Sequence, residues 1–387
     1  MLIFLFAEKR PCVGMRKHAK LLAVFATLLS ISGLLYALER VTSDMDAIRI
    51  MVKHGSNCFR LRLFVNPPHT DVVVNDLSYT IALAKRIKAA GARLLLDFHY
   101  SDTWADPAHQ LKPEAWSDLD FDALVERVYE YTRMCIATMK QEGVLPDMVQ
   151  PGNEITWGML WPDGKLYGVG EPEEQWWKFV RLLKAAIQGI KDAAGDAVQI
   201  VLHVHCGGDW RQTQWFFENV EKLGVQYDII GLSYYPWWHG TVDDLRDNLR
   251  RTAERFSKDI FVVETAYPYR HLDVREMEGA NQANMRWPMT PEGQRSFLVE
   301  LIHVVQETPG GHGLGVLWWY PEAIPVEGLV VWNDGATALF DRDGKALPAM
   351  DAFLEVAGAK KFLVGGDVSA LAKIEAMGGV FRDDGDP

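Results

Sequence analysis

From Val41 onward, short apolar runs alternate with segments whose apolar residues recur at helical spacing, and glycines or prolines punctuate the changes. The apolar runs are Asn57–Val65, Arg93–His99, Met148–Glu154, Gln199–Cys206, Tyr227–Tyr235, Ile260–Ala266 and Gly315–Tyr320. Runs this continuous mark strands buried on both faces. Between them, helical periodicity covers Asp44–His54, Ser78–Ala90, Asp120–Gln141, Glu173–Ala194, Thr213–Leu223, Thr241–Ser257 and Thr290–Thr308, with a short helix at Ala349–Val356. Gly91, Gly143 and Gly195 follow three of these helices, and Thr290-Pro291 reads as an N-cap with proline at the first helical position. Strand and helix in strict alternation, joined by short turns, predict a parallel α/β fold.

Seven strands do not close a (β/α)8 barrel. The eighth comes from the C-terminus, where Phe362–Val368 has a strand pattern and Ser369–Met377 a helical one, read with Ser369 as N-cap and Gly378 beyond the end. The fold expected is therefore a single (β/α)8 TIM barrel over residues 41–387, with residues 361–387 supplying a strand and its helix. The first 40 residues stand apart. Lys9, Arg10, Arg16, Lys17 and Lys20 precede an uncharged run from Leu21 to Leu38, the pattern of a secretory signal with Ala37 as a cleavage position, or of an N-terminal membrane anchor if uncleaved. A secreted protein, extracellular or periplasmic, is expected.

Composition narrows the functions. Net charge is −12, which argues against a nucleic-acid partner because phosphate binding needs clustered Lys and Arg. The four cysteines (Cys12, Cys58, Cys135, Cys206) have neither disulfide-framework nor zinc spacing, and read as buried thiols. Fourteen tryptophans are a high count, and such flat indoles serve either as platforms for sugar rings or as ordinary core packing.

The chemistry is carried by two strand ends. The run beginning at Met148 stops at Asn153-Glu154 and gives way to a Trp- and Gly-rich loop; the run beginning at Ile260 delivers Glu264. Strand C-termini are where such barrels keep their catalytic groups. Two carboxylates from two strands can hold different protonation states, as a glycosidase's acid and nucleophile must. Glu154 alone would read as the start of a solvated loop; paired with Glu264 it reads as catalytic. His203 and His205 share a strand face, and contact with sugar or core packing explains them without a metal. Asp341-Arg-Asp-Gly344 is a turn, since Ala352 falls where a calcium loop needs Glu. No metal and no cofactor are expected.

These residues resemble glycoside hydrolase family 53, the arabinogalactan endo-β-1,4-galactanases of clan A. The resemblance rests on Arg60–Pro67, Asp97–Pro107, Gly152–Pro162, Ser233–Pro236, Val262–Thr265, Pro291–Gln294 and Leu317–Glu322, in order along nearly the whole barrel. It implies a retaining endo-galactanase acting on β-1,4-galactan, with Glu154 as acid/base and Glu264 as nucleophile. Other clan A activities, such as a mannanase or xylanase, and a non-catalytic carbohydrate-binding barrel are the alternatives. It further implies that Asn153 bonds the sugar 2-hydroxyl and that Arg60, with Arg62 on the same strand face, keeps Glu264 ionised. Arg62 has an alternative in an internal salt bridge with Asp97. His99, Asp102, His205 and Tyr235 would line or support the cleft, with Trp104 and Trp319 stacking on galactose; Trp161, Trp237 and Trp238 would be outer platforms or packing. Family members begin with Gly-Ala-Asp-Val-Ser, whereas here Gly-Gly-Asp-Val-Ser stands at Gly365–Ser369. The order looks circularly permuted, with Asp367 near the catalytic pair; the truncated start of a second tandem copy, or a sequence joined in the wrong order, are the alternatives. The partner implied is the polysaccharide alone, and a monomer needing no protein partner is expected.

Overall fold

The computed structural model describes residues 46–168, 172–356 and 361–383, so the basic and apolar leader and Cys12 lie outside the described residues. In chain order the barrel elements are α1 (Ala47–Lys53), β1 (Cys58–Leu63), α2 (Leu77–Ala89), β2 (Arg93–Phe98), α3 (Phe121–Gln141), β3 (Met148–Gln150), α4 (Glu173–Ala194), β4 (Gln199–Val204), α5 (Trp210–Lys222), β5 (Ile229–Tyr234), α6 (Val242–Phe256), β6 (Asp259–Thr265), α7 (Pro291–Gln306), β7 (Gly313–Trp319), β8 (Leu363–Asp367) and α8 (Leu371–Ala376). The eight strands form a closed parallel barrel in which β8 lies between β7 and β1, and the remaining strands follow in sequence order. The register sets Leu363–Asp367 beside Gly315–Trp319 on one side, and Gly365–Asp367 beside Cys58–Arg60 on the other. Gly365 makes this approach possible, because a Cβ there would sit 1.9 Å from the Cys58 carbonyl oxygen.

Side-chain alternation divides the barrel interior by height. One residue from each strand (Cys58, Leu95, Met148, Val201, Ile229, Phe261, Leu317 and Leu363) closes the lower part as an apolar plug. Two or four residues further on, the same inward face of the strands carries Arg60, Arg62, Asp97, Gln150, His203, Ser233 and Asp367, all buried. The helices pack their apolar stripes on the outer face of the strands, in a continuous core.

Three local expectations are corrected. The strand at Met148 ends at Gln150 and does not reach Glu154. Pro151 has no N–H to continue the ladder, and Gly152 turns the chain at φ +117°. Ser369 does not cap the last helix: its hydroxyl accepts the Arg62 backbone N–H at 2.8 Å, and the N-cap is Ala370, without a side-chain bond. The loop after β3 contains a two-residue antiparallel ribbon, Gly158–Met159 with Gly164–Lys165, which has too few residues to show a period. Cys58, Cys135 and Cys206 are buried free thiols, as expected. Asp341 forms the expected turn, accepting the N–H groups of Asp343 and Lys345 at 2.9 Å each.

Candidate active site

Above the charged layer, the carboxyl ends of the strands open into a cleft of about 1420 Å³ lined by Trp104, Asn153, Glu154, His205, Tyr235, Trp238, Glu264, Trp319 and Trp332, among others. Glu154 stands at its floor on a residue with left-handed backbone (φ 48°, ψ 48°). That conformation is uncommon for a non-glycine residue, and strain of this kind concentrates at functional sites. Its Oε1 accepts the Ser233 hydroxyl at 2.7 Å.

Glu264 reaches the same floor by an irregularity. Leu232 pairs with Val262 but Ser233 pairs with Glu264, so Val263 is an extra residue in β6. Val263 belongs to the apolar plug with Phe261, and regular alternation would turn Glu264 outward. The bulge re-aims it inward. Its Oε2 accepts the Tyr235 hydroxyl at 2.9 Å, and its Oε1 lies 2.8 Å from Arg60 Nη1. A carboxylate oxygen of Glu154 lies within 4.8 Å of one of Glu264.

Arg60 organises the floor. Its Nε donates to Gln150 Oε1 at 2.9 Å, its Nη1 to Asp367 Oδ2 at 3.0 Å, and its Nη2 to Asp97 Oδ2 at 2.8 Å and Asn153 Oδ1 at 2.7 Å. Asn153 Nδ2 donates one hydrogen to the Ala105 carbonyl at 2.7 Å, leaving its second for the cleft. Arg60, and not Arg62, pairs with Asp97. Arg62 donates to Asp367 Oδ1 at 3.0 Å, and its guanidinium lies 4.6 Å from the Trp104 ring, 4.8 Å from Trp319 and 4.9 Å from Tyr320. A buried cation among ring faces is favourable, and here it backs the Trp104 and Trp319 rings that line the cleft.

Burial and the neighbouring Glu264 hold the Glu154 carboxyl well above the usual carboxylate range. Burial also raises Glu264, to about 7, but Arg60 and the Tyr235 hydroxyl pull against it. The two acids therefore sit in unequal surroundings, one without a contacting cation and one beside Arg60.

Other expected site residues fall into two groups. His205 and Tyr235 line the cleft; His205 Nδ1 lies 2.8 Å from the Thr156 hydroxyl. His99, Asp102 and Asp367 do not line it. His99 lies under the floor, its Nδ1 accepting the Ala105 N–H at 2.9 Å and its Nε2 3.0 Å from Asp97. Asp102 ties loops together, accepting the N–H groups of Asn66 and Glu114 at 2.9 Å each. Asp367 acts from below through the two arginines. Trp238 is an outer wall of the cleft, whereas Trp237 is fully buried and Trp161 packs on Lys165, 4.0 Å from ring to ammonium. Trp332 and Ser233 were not singled out from sequence, and His203 was read there only as contact with sugar or core packing. Trp332 comes from a loop with no periodic signal, and the link of Ser233 and His203 to Glu154 becomes visible only through their contacts.

Glu154, His203 and Glu264 each bring one ligand-type atom within 4.8 Å of the others. Both His203 nitrogens already have partners, at Asn153 Oδ1 (3.0 Å) and Ser233 Oγ (2.8 Å), and Arg60 supplies positive charge beside Glu264. An ion would have to displace these contacts, so the residues fit a metal poorly.

A closed parallel barrel with two facing carboxylates at the carboxyl ends of β3 and β6, its fourth and seventh strands when β8 is counted first, under an aromatic-walled cleft, has the architecture of a glycoside hydrolase. The sequence matches glycosyl hydrolase family 53 over residues 32–353. It is 42% identical over 321 residues to an uncharacterised protein of Niallia circulans, covering 79% of this chain and 85% of that one. It is 35% identical over 314 residues to an arabinogalactan endo-beta-1,4-galactanase of Thermothelomyces thermophilus, covering 79% and 90%. Among solved structures, the family 53 catalytic domain of Ignisphaera aggregans superposes with a TM-score of 0.72 at 37% identity, covering 80% of this chain and 87% of that domain. The chain belongs to glycosyl hydrolase family 53.

Proposed function

We propose that the protein is a retaining endo-β-1,4-galactanase that cuts the β-1,4-galactan of type I arabinogalactan, with Glu264 as nucleophile and Glu154 as acid/base. The observation that carries this reading is the separation of the two carboxylates, with oxygens within 4.8 Å of each other. Retaining enzymes need about 5–5.5 Å between the groups, and inverting ones about 6.5–9.5 Å to admit a water. In the first step Glu264 attacks the anomeric carbon while Glu154 gives its proton to the leaving oxygen. In the second, Glu154 takes a proton from water, which releases the sugar from Glu264 with its original configuration. The free Asn153 N–H faces the 2-hydroxyl, and Trp104 and Trp319 stack on the rings that flank the bond. An open cleft of about 1420 Å³ suits attack within a chain better than at its end.

The galactan assignment is supported by relatives whose names state that activity. Hydrolysis of a panel of galactan, mannan and xylan, with product sizing and the first-formed anomer followed by proton NMR, tests it. Galacto-oligosaccharides released with β configuration are expected. Preferred hydrolysis of mannan or xylan, or an α product, would overturn it. The proposal extends to export, supported by the basic and apolar leader, to a monomer, and to β8 as the family's first strand carried at the C-terminus, supported by its place in the barrel and by a family match that ends at residue 353.

A further inference from the structure

Beneath Glu154 runs a chain of buried polar atoms with one proton too few to satisfy every contact in both directions. His203 Nε2 lies 2.8 Å from Ser233 Oγ, which lies 2.7 Å from Glu154 Oε1. On the other side of the ring, Nδ1 lies 3.0 Å from Asn153 Oδ1 and 3.3 Å from the Glu154 backbone N–H. Asn153 cannot be reversed to help. Its oxygen takes the Arg60 bond at 2.7 Å, and its nitrogen donates to the Ala105 carbonyl. A neutral imidazole has one N–H and a serine hydroxyl has one O–H. Ser233 Oγ also lies 3.5 Å from Glu264 Oε2, a contact too long to compete with those at 2.7 and 2.8 Å, so the two hydrogens can be placed in two consistent ways.

With the hydrogen on Nδ1, Ser233 must donate to His203 Nε2 and so turns a lone pair toward Glu154 Oε1. Glu154 can then meet Ser233 only by carrying its acid proton on Oε1, the inner oxygen. As a carboxylate it would face a lone pair at 2.7 Å. With the hydrogen on Nε2, His203 donates to Ser233, Ser233 donates to Oε1, and Nδ1 accepts the Glu154 N–H, which has no other acceptor among the described residues. Oε1 is then an acceptor whether Glu154 is acid or carboxylate. The acid proton is confined to Oε2, which has no protein partner among the described residues and belongs to a residue lining the cleft.

Resting on the acid/base reading of Glu154, we propose that His203 and Ser233 are positioning residues for the reaction. They form a one-way hydrogen-bond chain, from His203 Nε2–H through the Ser233 hydroxyl to Glu154 Oε1, that keeps the transferable proton on the substrate-facing oxygen in both half-reactions. No proton travels along the chain; it fixes where the Glu154 proton sits. The tautomer carries one cost, the contact of an unprotonated Nδ1 with Asn153 Oδ1, and the Arg60 bond to that same oxygen offsets it. Burial and nearby Arg60 keep His203 neutral. The titratable and charged groups facing the pair are Arg60 from β1, His99 beyond β2, Asp106 from the loop after it, His205 beyond β4, Tyr235 and His239 beyond β5, and Glu264 on β6.

Two measurements test this. Nitrogen-15 NMR of histidine-labelled protein, with the His203 signals identified by their loss in His203→Gln, reads the tautomer directly and without substrate. The expected result between pH 5 and 8 is a protonated Nε2 and an unprotonated Nδ1. A protonated Nδ1, or an imidazolium, would overturn the proposal. In kinetics, Ser233→Ala removes a donor that favours the Glu154 carboxylate, so the alkaline limb of kcat/KM should rise by about one pH unit while kcat falls about tenfold. Ser233→Thr, which keeps the hydroxyl, should leave the limb in place. His203→Gln presents an amide donor near the Nε2 position and should retain more activity than His203→Met, which has none. Loss of activity in Ser233→Ala with no shift of the limb would mean that the serine serves only packing. Absence of galactan hydrolysis by the parent enzyme would sink the functional reading and leave the tautomer result standing.

Discussion

Glu154 and Glu264 do opposite work with the same side chain, and their neighbours decide which does which. Glu154 has burial and a like charge acting on it, whereas Glu264 has Arg60 and Tyr235 as donors that favour ionisation. Activity needs Glu264 ionised and Glu154 protonated, so the pH profile is a bell whose limbs belong to the pair jointly. Glu154→Gln and Glu264→Gln should each lower kcat by about 10²–10⁴-fold or more while the fold, read by circular dichroism, stays intact. Near-normal turnover in either variant would remove that residue from the mechanism. Tyr235→Phe is the subtler variant. It removes a hydrogen bond to the Glu264 carboxylate, so the pKa of that acid rises and the acid limb of kcat/KM should move upward by about one pH unit. An unmoved or lowered limb would show that Tyr235 does not stabilise the ionised nucleophile.

At the scale of elements, a buried carboxyl links the loop after β7 to the C-terminal segment. Glu322 Oε1 accepts the Ala370 N–H at 2.9 Å, while Oε2 is buried without a hydrogen-bond partner. Burial, with Asp367 nearby, raises this acid to about 8. Between the unfolded value near 4.5 and about 8, the folded state holds a proton that the unfolded state has released. Stability contributed by this group is therefore complete at low pH and lost as pH rises through about 8. Glu322→Gln can keep the Ala370 contact but does not ionise, so its thermal midpoint relative to the parent should climb between pH 5 and pH 9, at about 2–4 °C for each kcal/mol relieved. Calorimetry showing a constant difference would refute a protonated Glu322. The elements themselves were largely legible from sequence, because strands buried on both faces and amphipathic helices leave strong periods, and the helix at Glu173–Ala194 appears with those bounds. What stayed hidden were departures from period. The bulge at Val263 is a feature of pairing, visible only from the neighbouring strand, yet without it Glu264 would face away from Glu154. The early end of β3 had a local signal in Pro151, but the left-handed turn that places Glu154 did not. His99, Asp102 and Asp367 were found as important polar residues, but sequence spacing cannot separate a side chain lining a cleft from one supporting it from below.

For the whole molecule, the decisive element is the last strand. Without β8, the backbone of β1 from Cys58 to Arg60 and that of β7 from Gly315 to Trp319 would lose their partners, and the barrel would open along its length. The electrostatic loss would be as serious. Asp367 is the carboxylate that contacts Arg62 and one of those that contact Arg60, both fully buried, and an uncompensated buried cation costs several kcal/mol. The floor that orients Glu264 therefore depends on a residue some hundred positions further along the chain. Removing everything from Lys361 onward should abolish soluble, cooperatively folding protein, as read by circular dichroism and calorimetry. A truncated chain that still folds and hydrolyses galactan would show that the strand is dispensable. Rearrangement distinguishes loss of the strand from loss of its position in sequence. Asp383 Oδ2 lies 3.1 Å from Lys53 Nζ at the far end of α1, and α1 is seven residues long, so the helix length and the two side chains together put the segment's end within roughly 20 Å of where α1 begins. Moving residues 361–383 ahead of α1, with a linker of about eight residues, should therefore restore the barrel and the activity lost on truncation. A rearranged chain that stayed unfolded would mean that the C-terminal placement itself, and not only the strand, is required for the fold.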